Sequence, residues 1–546
     1  MKNEQPKLEI IISEIKKVGE EKEVEDAVIR EERETLSEVL EIPEEDVKKL
    51  EINIEEKEKS ENSKILFEYA EKIYDITKDY RAVYIYLDNT DTKLINIEKL
   101  KEAINDLEEI QDEAQNRNEQ IGNIINKIIF PEKAKIQLLL EFKNSNSEGV
   151  FENGKIAYGD IDEELCAKAL DIYNDKLEFI NSKKNLFKEI DSNNSEEALK
   201  YLKLAYKHTD EFSIENDDDW YKEKLEVIKK ERQTDSIEEK LKKSKFNAED
   251  IKNYFEIALI KGGLENAGYK VIIDSVAKSI GVYKKHPKYD SPVILIPENR
   301  EVDGIKLLEL IAHEIGGHIA SGFYSNKQGL GAVSIGRDWE TYNEGIAKKN
   351  EIEIKKEILE NSYLNFKINS SPLYVLAMER IKNGGDFDET CDYIFSLKKK
   401  EHLAEGNDNL ENEREAKKTA EKICNRVFRG FDKKEKGKYF TKDLAYLVGE
   451  SGVREMKKTG VDKYLYLSKV DPKLIPDLIK MGVYTYEKGL QMTKDVAKQV
   501  WQDKDWLADY IKNKKWYEEN TPEHLGHWNY RDKYMNENKT GLKSEE

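Results

Sequence analysis

The sequence lacks the features of membrane-spanning, secreted and disulfide-stabilised proteins. No apolar run approaches the ~20 residues that a bilayer-spanning helix needs, and residues 1–6 lack the basic-then-apolar pattern of a signal peptide. The three cysteines, Cys166, Cys391 and Cys424, lie far apart in the chain, which excludes a disulfide framework and a cysteine-rich zinc site. We therefore expect a cytoplasmic protein in which each cysteine is a small buried apolar residue.

A positive charge balance is also missing. The 546 residues include 112 acidic and 91 basic side chains, which gives a formal net charge of −21 at pH 7. Because this excess repels polyanions at long range, we expect neither nucleic acid nor a membrane surface as a partner. The length exceeds what one hydrophobic core accommodates, so we expect several domains.

Composition and hydrophobic periodicity divide the chain into four predicted regions. Residues 1–62 are acidic and almost free of glycine and aromatic residues, which is typical of a loosely helical or disordered extension. A helical domain is predicted over 63–245, because long helical patterns there alternate with clusters of Asn, Asp, Ser and Gly. We predict a catalytic domain over 246–490, and a charged tail over 491–546 that contains four of the six tryptophans.

The predicted fold class is α+β and mostly α. Helical patterns cover residues 66–80, 97–129, 131–144, 163–184 and 196–208. Short β-type runs predict a small sheet and lie at 269–274, 279–283 and 293–296. After the last run, Asp303 can cap a helix whose apolar positions recur every three to four residues, at Ile305, Leu308, Ile311 and Ile315.

Histidine is scarce, with 7 in the chain, yet two of them fall within His313-Glu-Ile-Gly-Gly-His318. Two imidazoles around a carboxylate can bind a metal ion, but the spacing is one residue longer than the usual zinc-peptidase signature. In an ideal α-helix, residues five apart are separated by about 140°, which is too far for both rings to reach one ion. The Gly316-Gly317 pair permits a π-bulge or a kink that would return His318 to the face of His313. The alternative is a helix that ends at the glycines, with both histidines capping or buried.

A catalytic zinc ion usually takes three protein ligands and keeps one position open for water. We predict Glu344 as the third ligand, because it opens a second helix 26 residues after His318 and Gly345 beside it allows close approach. Alternatively, Thr341-x-x-Glu344 is a capping box of that helix. The other candidates for the third ligand are Asp338, Glu340 and Glu351. Glu314 is predicted to accept a proton from metal-bound water and pass it to the leaving amine.

These motifs resemble a known family. His313-Glu-Ile-Gly-Gly-His318 followed by Asn343-Glu-Gly-Ile-Ala347 resembles the His-Glu-x-x-x-His and Gln-Glu-Gly-Leu-Ala motifs of the tyrosine carboxypeptidase family, which includes the microtubule-associated enzyme and was long catalogued as a domain of unknown function. Further similar segments, in the same order, are Ile156-Ala-Tyr-Gly159, Ile296-Pro-Glu-Asn-Arg300, Asn326-Lys-Gln328, Gly384-Gly-Asp-Phe387, Arg426-Val-Phe-Arg-Gly430 and Phe440-Thr-Lys-Asp-Leu-Ala-Tyr446. Together they span about residues 65 to 485.

The resemblance implies a zincin-like catalytic domain with a small sheet and a bent metal-binding helix, as in a prokaryotic member of the family. It implies His313, His318 and Glu344 as Zn²⁺ ligands, Glu314 as the catalytic base, and removal of a C-terminal residue, aromatic in characterised members. Asn343 and Ile346 stand where the family has Gln and Leu. Residues 1–62 and the tryptophan-rich tail have no counterpart, and the acidic chain disfavours an acidic, tubulin-like tail as substrate.

A carboxypeptidase must also recognise a terminal carboxylate, which favours a cation of fixed geometry. Arg426, Arg429 and Lys442 lie in family-like motifs and are predicted to bind it, with Arg300 as a further candidate. Tyr446 is predicted to assist the oxyanion. The alternative is that each cation forms an ordinary structural ion pair and that Tyr446 packs in the core.

Three functions are therefore expected in order. The first is a zinc metallo-carboxypeptidase that acts on a peptide or protein C-terminus. The second is a zinc metalloendopeptidase with a groove open at both ends. The third is a non-catalytic helical interaction protein, supported by the long charged helices and the acidic extension.

Overall fold

The computed structural model describes residues 64–480, apart from 67, 78–95, 210–216, 233–240, 262–263, 265–266, 278, 284–287, 328–338, 359–363, 365, 367–371, 407–408, 459–464, 466–468 and 470. The predicted extension over 1–62 and the predicted tail over 491–546 lie outside the described residues.

The described part of the chain is mostly helical and includes two small sheets, which confirms the predicted α+β, mostly α fold class. The helices before the sheets are α1 Ile97–Arg117, α2 Glu119–Lys143, α3 Ser147–Tyr158, α4 Glu163–Asp191, α5 Ser195–Tyr206 and α6 Asp218–Arg232. The mixed region contains β1 Lys245–Phe246, α7 Ala248–Lys261, β2 Lys270–Asp274, β3 Gly281–Tyr283, β4 Val293–Pro297, β5 Val302–Asp303, α8 Gly304–Leu310 and a π-helix over Ile311–Ile319. The later helices are α9 Ala320–Lys327, α10 Trp339–Ile358, α11 Leu373–Lys382, α12 Phe387–Glu405, α13 Leu410–Val427, α14 Leu444–Lys458 and α15 Ile475–Lys480.

These elements form two compact units that the chain enters more than once. The first unit takes its described residues from Met1–Lys229, Ser321–Lys349 and Leu364–Thr493. The second takes them from Lys230–Ala320 and Asn350–Tyr363. Described segments of the predicted catalytic region, such as α11, pack with the N-terminal helices, so the two units do not divide the chain at residue 245. The predicted boundary at 490 lies outside the described residues.

The first unit is built from helices that pack on one another in sequence-adjacent pairs and on α11. Helix α2 packs on α1 and α3, α4 packs on α5, and α11 packs on α4, α12 and α13. Its core contains fully buried apolar side chains from α11 to α13, among them Val375, Met378, Ile394 and Val427. Burial of such side chains, at roughly 1.5–3 kcal/mol each, provides the main stabilisation of this unit.

A single asparagine sets the boundary between α1 and α2. Asn118 adopts an extended backbone, its side chain accepts a hydrogen bond from the N–H of Ile121, and its own N–H donates to Ala114. Pro131, at which the sequence predicts a helix start, lies inside α2 instead. Its ring removes one helical hydrogen bond, and the burial of Ile128, Ile129 and Pro131 offsets that loss.

The second unit contains both sheets. Strand β4 is central in the order β2-β4-β3, is parallel to β2 and antiparallel to β3, and has all four residues from Val293 to Ile296 buried. The predicted runs at 269–274, 279–283 and 293–296 thus correspond to three paired strands. Strand β5 ends at Asp303, whose side chain caps α8 by accepting from the N–H of Lys306 at 2.8 Å, as predicted. The sheet and α7 pack directly against the π-helix.

Two glycines in the first unit allow the backbones of α10 and α14 to touch. A Cβ atom on Gly345 would overlap the carbonyl of Gly449, and one on Gly449 would overlap the carbonyl of Thr341. Because the overlapped atoms are backbone, they can move only if a helix moves. This crossing fixes the position of α10 in the first unit.

We expect Gly449→Ala to lower the thermal unfolding temperature by several degrees, since overpacking costs typically about 1–3 kcal/mol. The matched control is Gly154→Ala in α3, where the nearest atom to a new Cβ is the Leu138 side chain at 3.8 Å. The control should unfold at or above the wild-type temperature, because alanine favours a helix. Equal unfolding temperatures for wild type and Gly449→Ala would contradict the described helix crossing.

Candidate metal centre

The segment with both histidines is a π-helix. Helix α8 continues into it without a break, and at its end the N–H of Ala320 donates to the carbonyl of Ile315, five residues back. In this hydrogen-bond pattern, residues five apart take the relation that residues four apart have in an α-helix. The predicted π distortion at Gly316-Gly317 is therefore confirmed, and the helix does not end at the glycines but runs on into α9.

The π-helix brings the two imidazoles together. The ring centroids of His313 and His318 are 4.9 Å apart, with the ring planes at 88°. One ligand atom from each of His313, Glu314 and His318 lies within 4.8 Å of the others. The apolar side chains of Ile311, Ile315 and Ile319 are buried, while the two histidines are only partly buried. The sequence therefore buries the apolar side chains and Glu314 and leaves the two imidazoles partly exposed.

A second acidic residue, Glu351, lies beside His313. The Nδ1 atom of His313 is 2.7 Å from Oε1 of Glu351. This distance suits a hydrogen bond, although the N–H bond does not point directly at the carboxylate oxygen. A carboxylate at this position favours the proton on Nδ1 and leaves the Nε2 lone pair available to a metal ion. Sequence analysis named Glu351 only as a further candidate ligand and missed this supporting position. Its spacing of seven residues from Glu344, two turns of one helix, was the available signal.

Further contacts within the second unit hold residues 350–355 of α10 against the histidine-bearing segment. The side-chain amide of Asn350 donates to the carbonyl of Ala312 at 3.5 Å. Nearby, Lys355 is 2.8 Å from Glu309, which also pairs with Lys306 at 2.8 Å. Burial raises the pKa of Glu309, but the two lysines outweigh it and hold the pKa below its ordinary value. These contacts fix Glu351 beside His313.

The donor set fits a divalent transition-metal ion. Two imidazoles, an adjacent carboxylate and a carboxylate behind one histidine are the groups that zinc and similar borderline cations use in proteins. The four side chains belong to His313, Glu314, His318 and Glu351, all in the second unit.

Glu344, the predicted third ligand, is half-buried in α10 within the first unit. The helix begins at Trp339, so Thr341 lies inside it and the capping-box interpretation does not apply. The close approach at Gly345 is to the backbone of Gly449 and not to a ligand. Glu344 as a metal ligand stays a prediction. Asp338 lies outside the described residues.

The predicted substrate-binding residue Arg426 is partly exposed in the first unit and forms an ion pair with the buried Asp443. Its Nε and Nη2 atoms donate to the carboxylate of Asp443, Nη1 donates to the hydroxyl of Tyr374 at 3.2 Å, and Nη2 donates to that of Tyr446 at 3.2 Å. The guanidinium also lies over both tyrosine rings, 5.2 and 5.3 Å from their centroids. Burial disfavours the charge, but the attraction of Asp443 outweighs it and raises the pKa of Arg426.

Of the other predicted cations, Lys442 and Arg429 lie in the first unit and Arg300 lies in the second. Lys442 is 3.3 Å from Glu340, and Arg429 lies over the ring of Phe440 at 5.7 Å. Burial raises the pKa of Glu340, but Lys442 and Lys135 outweigh it, so that the pKa is lowered. Arg300 is exposed in the second unit.

We call Arg426, Arg429, Lys442, Asp443, Tyr374 and Tyr446 the cationic cluster. Its carboxylate and Tyr374 were not predicted. Glu344 lies close enough to the cluster to act on it, because after burial its charge is the largest influence that raises the pKa of Tyr446. The first unit thus gathers the four predicted substrate-binding residues and Glu344 in one region. Their function stays a prediction.

A different histidine, His208, lies between two carboxylates in the first unit. The Nδ1 atom of the buried His208 is 3.6 Å from Asp175, and Nε2 is 3.2 Å from Glu178. Each ring nitrogen faces its own carboxylate, and one ligand atom from each of the three residues lies within 4.8 Å of the others. This arrangement differs from the pair of imidazoles at His313 and His318, where two rings face each other.

No family model, curated protein sequence or solved structure matches this chain. Among the helices within the described parts of 64–480, none combines the length and the apolar character that a bilayer crossing requires.

We expect Glu351→Gln to weaken binding of Zn²⁺ about 10–100-fold, because an amide holds the His313 tautomer and ring orientation less firmly than a carboxylate. The matched control is Glu353→Gln, which removes the same charge two residues along the same helix. Competition with a chromophoric chelator measures both affinities. Equal Zn²⁺ affinity for the two variants would show that the Glu351 contact does not support a metal ligand.

Proposed function

We propose that this chain is a zinc-dependent peptidase of the carboxypeptidase type. The observation that carries the proposal is the π-helical register, which places His313, Glu314 and His318 around one point and gives His313 a carboxylate partner. A binding module without catalytic function has no need of a carboxylate beside two metal-ligating imidazoles. The resemblance to the tyrosine carboxypeptidase family, noted from the motifs, agrees with this assignment. We propose that the protein acts in the cytoplasm.

The ion is proposed to be held by the imidazoles of His313 and His318. When bound, Zn²⁺ supplies Lewis acidity to a carbonyl oxygen and lowers the pKa of water. Glu351 keeps the proton on Nδ1 of His313, so that Nε2 is the nitrogen offered to the ion.

Glu314 is proposed as the proton carrier. Its carboxylate belongs to the same close group as the two imidazoles, and its side chain is 8% exposed, which shields it from bulk water. A carboxylate in this position can accept a proton from attacking water and deliver it to the departing amine nitrogen. Proton transfer by a positioned side chain typically contributes about 10²–10⁴-fold to the rate.

For the exopeptidase activity, the cationic cluster supplies the predicted group that recognises a terminal carboxylate. Two of its members, Arg426 and Lys442, each have an acidic partner in the structure, Asp443 and Glu340. Arg426, Arg429 and Lys442 as carboxylate ligands and Tyr446 as an oxyanion donor are proposals that kinetic comparison of substrates tests.

We expect Glu314→Gln to retain about one Zn²⁺ per chain and to lose peptidase activity by about 10²–10⁴-fold, because the amide cannot accept the proton. A peptide library incubated with the protein, with and without chelator, and analysed by mass spectrometry measures the activity. The matched control is Glu298→Gln, on an exposed turn of the second unit, which should keep full activity. Undiminished cleavage by Glu314→Gln would remove its catalytic role.

Comparison of free-carboxyl peptides with their C-terminally amidated counterparts distinguishes the two peptidase types. We expect cleavage of the free acids and little cleavage of the amides, and Arg429→Gln should raise KM for the free acids. Equal cleavage of acid and amide would instead support the endopeptidase, which needs no cation at the terminus. Purified protein with no zinc and no cleavage in any peptide would support the helical interaction protein.

A further inference from the structure

A separate group of side chains that can ligate a metal ion belongs to the first unit. Asp175 and Glu178 lie three residues apart on α4, a spacing that puts both carboxylates on one face of the helix. His208 follows the end of α5, the helix that packs on α4. One ligand atom from each of the three residues lies within 4.8 Å of the others. The packing of the two helices thus brings one imidazole to two carboxylates.

A hydrogen-bonded turn holds the histidine in position. The backbone N–H of His208 donates to the carbonyl of Ala205 at 3.1 Å. The N–H and the hydroxyl of Thr209 both donate to the carbonyl of Tyr206, at 2.9 and 3.0 Å. This turn fixes the direction in which the imidazole approaches α4. A ligand group that is held before binding loses less conformational entropy when it binds.

The three side chains differ in their exposure to solvent. The side chain of His208 is 2% exposed, whereas those of Asp175 and Glu178 are 37% and 48% exposed. The imidazole therefore lies on the protein side of the group, and the carboxylates lie toward the solvent. A hydrated ion can reach all three residues without separation of α4 from α5.

The separations and the charges fit the ligands of one ion. The Nδ1 atom of His208 is 3.6 Å from Oδ1 of Asp175, which is longer than a direct hydrogen bond, and Nε2 is 3.2 Å from Oε2 of Glu178. Ligand atoms that bind one transition-metal ion at about 2.0–2.2 Å lie roughly 3–4 Å apart. A divalent cation also neutralises two carboxylates, whereas an imidazolium balances only one of them.

We propose that Asp175, Glu178 and His208 bind one divalent transition-metal ion through one oxygen of each carboxylate and one imidazole nitrogen. Mixed imidazole and carboxylate donors suit Mn²⁺ and Zn²⁺, whereas Mg²⁺ and Ca²⁺ prefer oxygen ligands alone. The ion links α4 to the turn after α5, and it stabilises the folded first unit increasingly as its free concentration rises. The proposal rests on contacts within the first unit and is independent of the proposed peptidase activity.

Titration of the full chain with Mn²⁺, followed by the electron paramagnetic resonance signal of the free ion, tests the proposal. Asp175→Asn and Glu178→Gln should each weaken one Mn²⁺ site at least about 10-fold, since even the loss of a supporting group typically costs about 10–100-fold. Both carboxylates are partly exposed, so neither change should unfold the protein. The matched control is Asp171→Asn, which removes an exposed carboxylate one turn earlier on α4 and should bind Mn²⁺ as wild type does.

Thermal unfolding gives a second measurement. Mn²⁺ should raise the unfolding temperature of wild type and of Asp171→Asn by more than that of Glu178→Gln, because only an occupied site adds stability. The difference between variants is the result that counts, so the test does not depend on whether the pair of His313 and His318 also binds the ion. Equal Mn²⁺ affinity and equal stabilisation for wild type, Asp175→Asn and Glu178→Gln would overturn the proposal and would leave His208 as an ion-paired imidazolium.

Discussion

One hydrogen-bond register determines the chemistry available to this protein. Between Ile311 and Ile319 the backbone hydrogen bonds span five residues instead of four, and this places His318 above His313 in the helix. An α-helix over the same sequence would direct the two rings about 140° apart and leave no common ligand position. A π-helix has poorer backbone hydrogen bonds, so it needs compensation from its surroundings. Burial of Ile311, Ile315 and Ile319 and packing against the sheet and α7 provide that compensation.

Three acidic residues of helix α10, Glu340, Glu344 and Glu351, lie in different surroundings. Glu340 pairs with Lys442, Glu344 lies near Tyr446 and Glu340, and Glu351 contacts His313. Glu340 and Glu344 belong to the first unit, and Glu351 belongs to the second unit. The glycine contact between Gly345 and Gly449 positions the first part, and the contacts of Asn350 and Lys355 position the second.

Features that depend on near neighbours in sequence could be predicted. The cap at Asp303, the three paired strands and the π distortion all arise from patterns within about ten residues. The start of α2 was missed because Pro131 looked like a helix start, whereas the Asn118 side chain caps the helix and burial makes the proline tolerable. The interleaved units were missed because linear composition carries no information on which distant segments pack together.

The cationic cluster is a further case in which the sequence does not show which residues pair with one another. Sequence motifs identified Arg426, Arg429 and Lys442, and one of them includes Asp443, but a motif does not show that Asp443 pairs with Arg426 or that Glu340 pairs with Lys442. The Asp443 side chain is only 2% exposed, so its carboxylate needs a counter-charge, which the partly exposed Arg426 supplies. Hydrogen bonds to Asp443, Tyr374 and Tyr446 use four of the five N–H groups of Arg426. A substrate carboxylate could therefore gain one direct hydrogen bond from Arg426 without displacing a partner, and a bidentate contact would require exchange with Asp443 or a tyrosine hydroxyl.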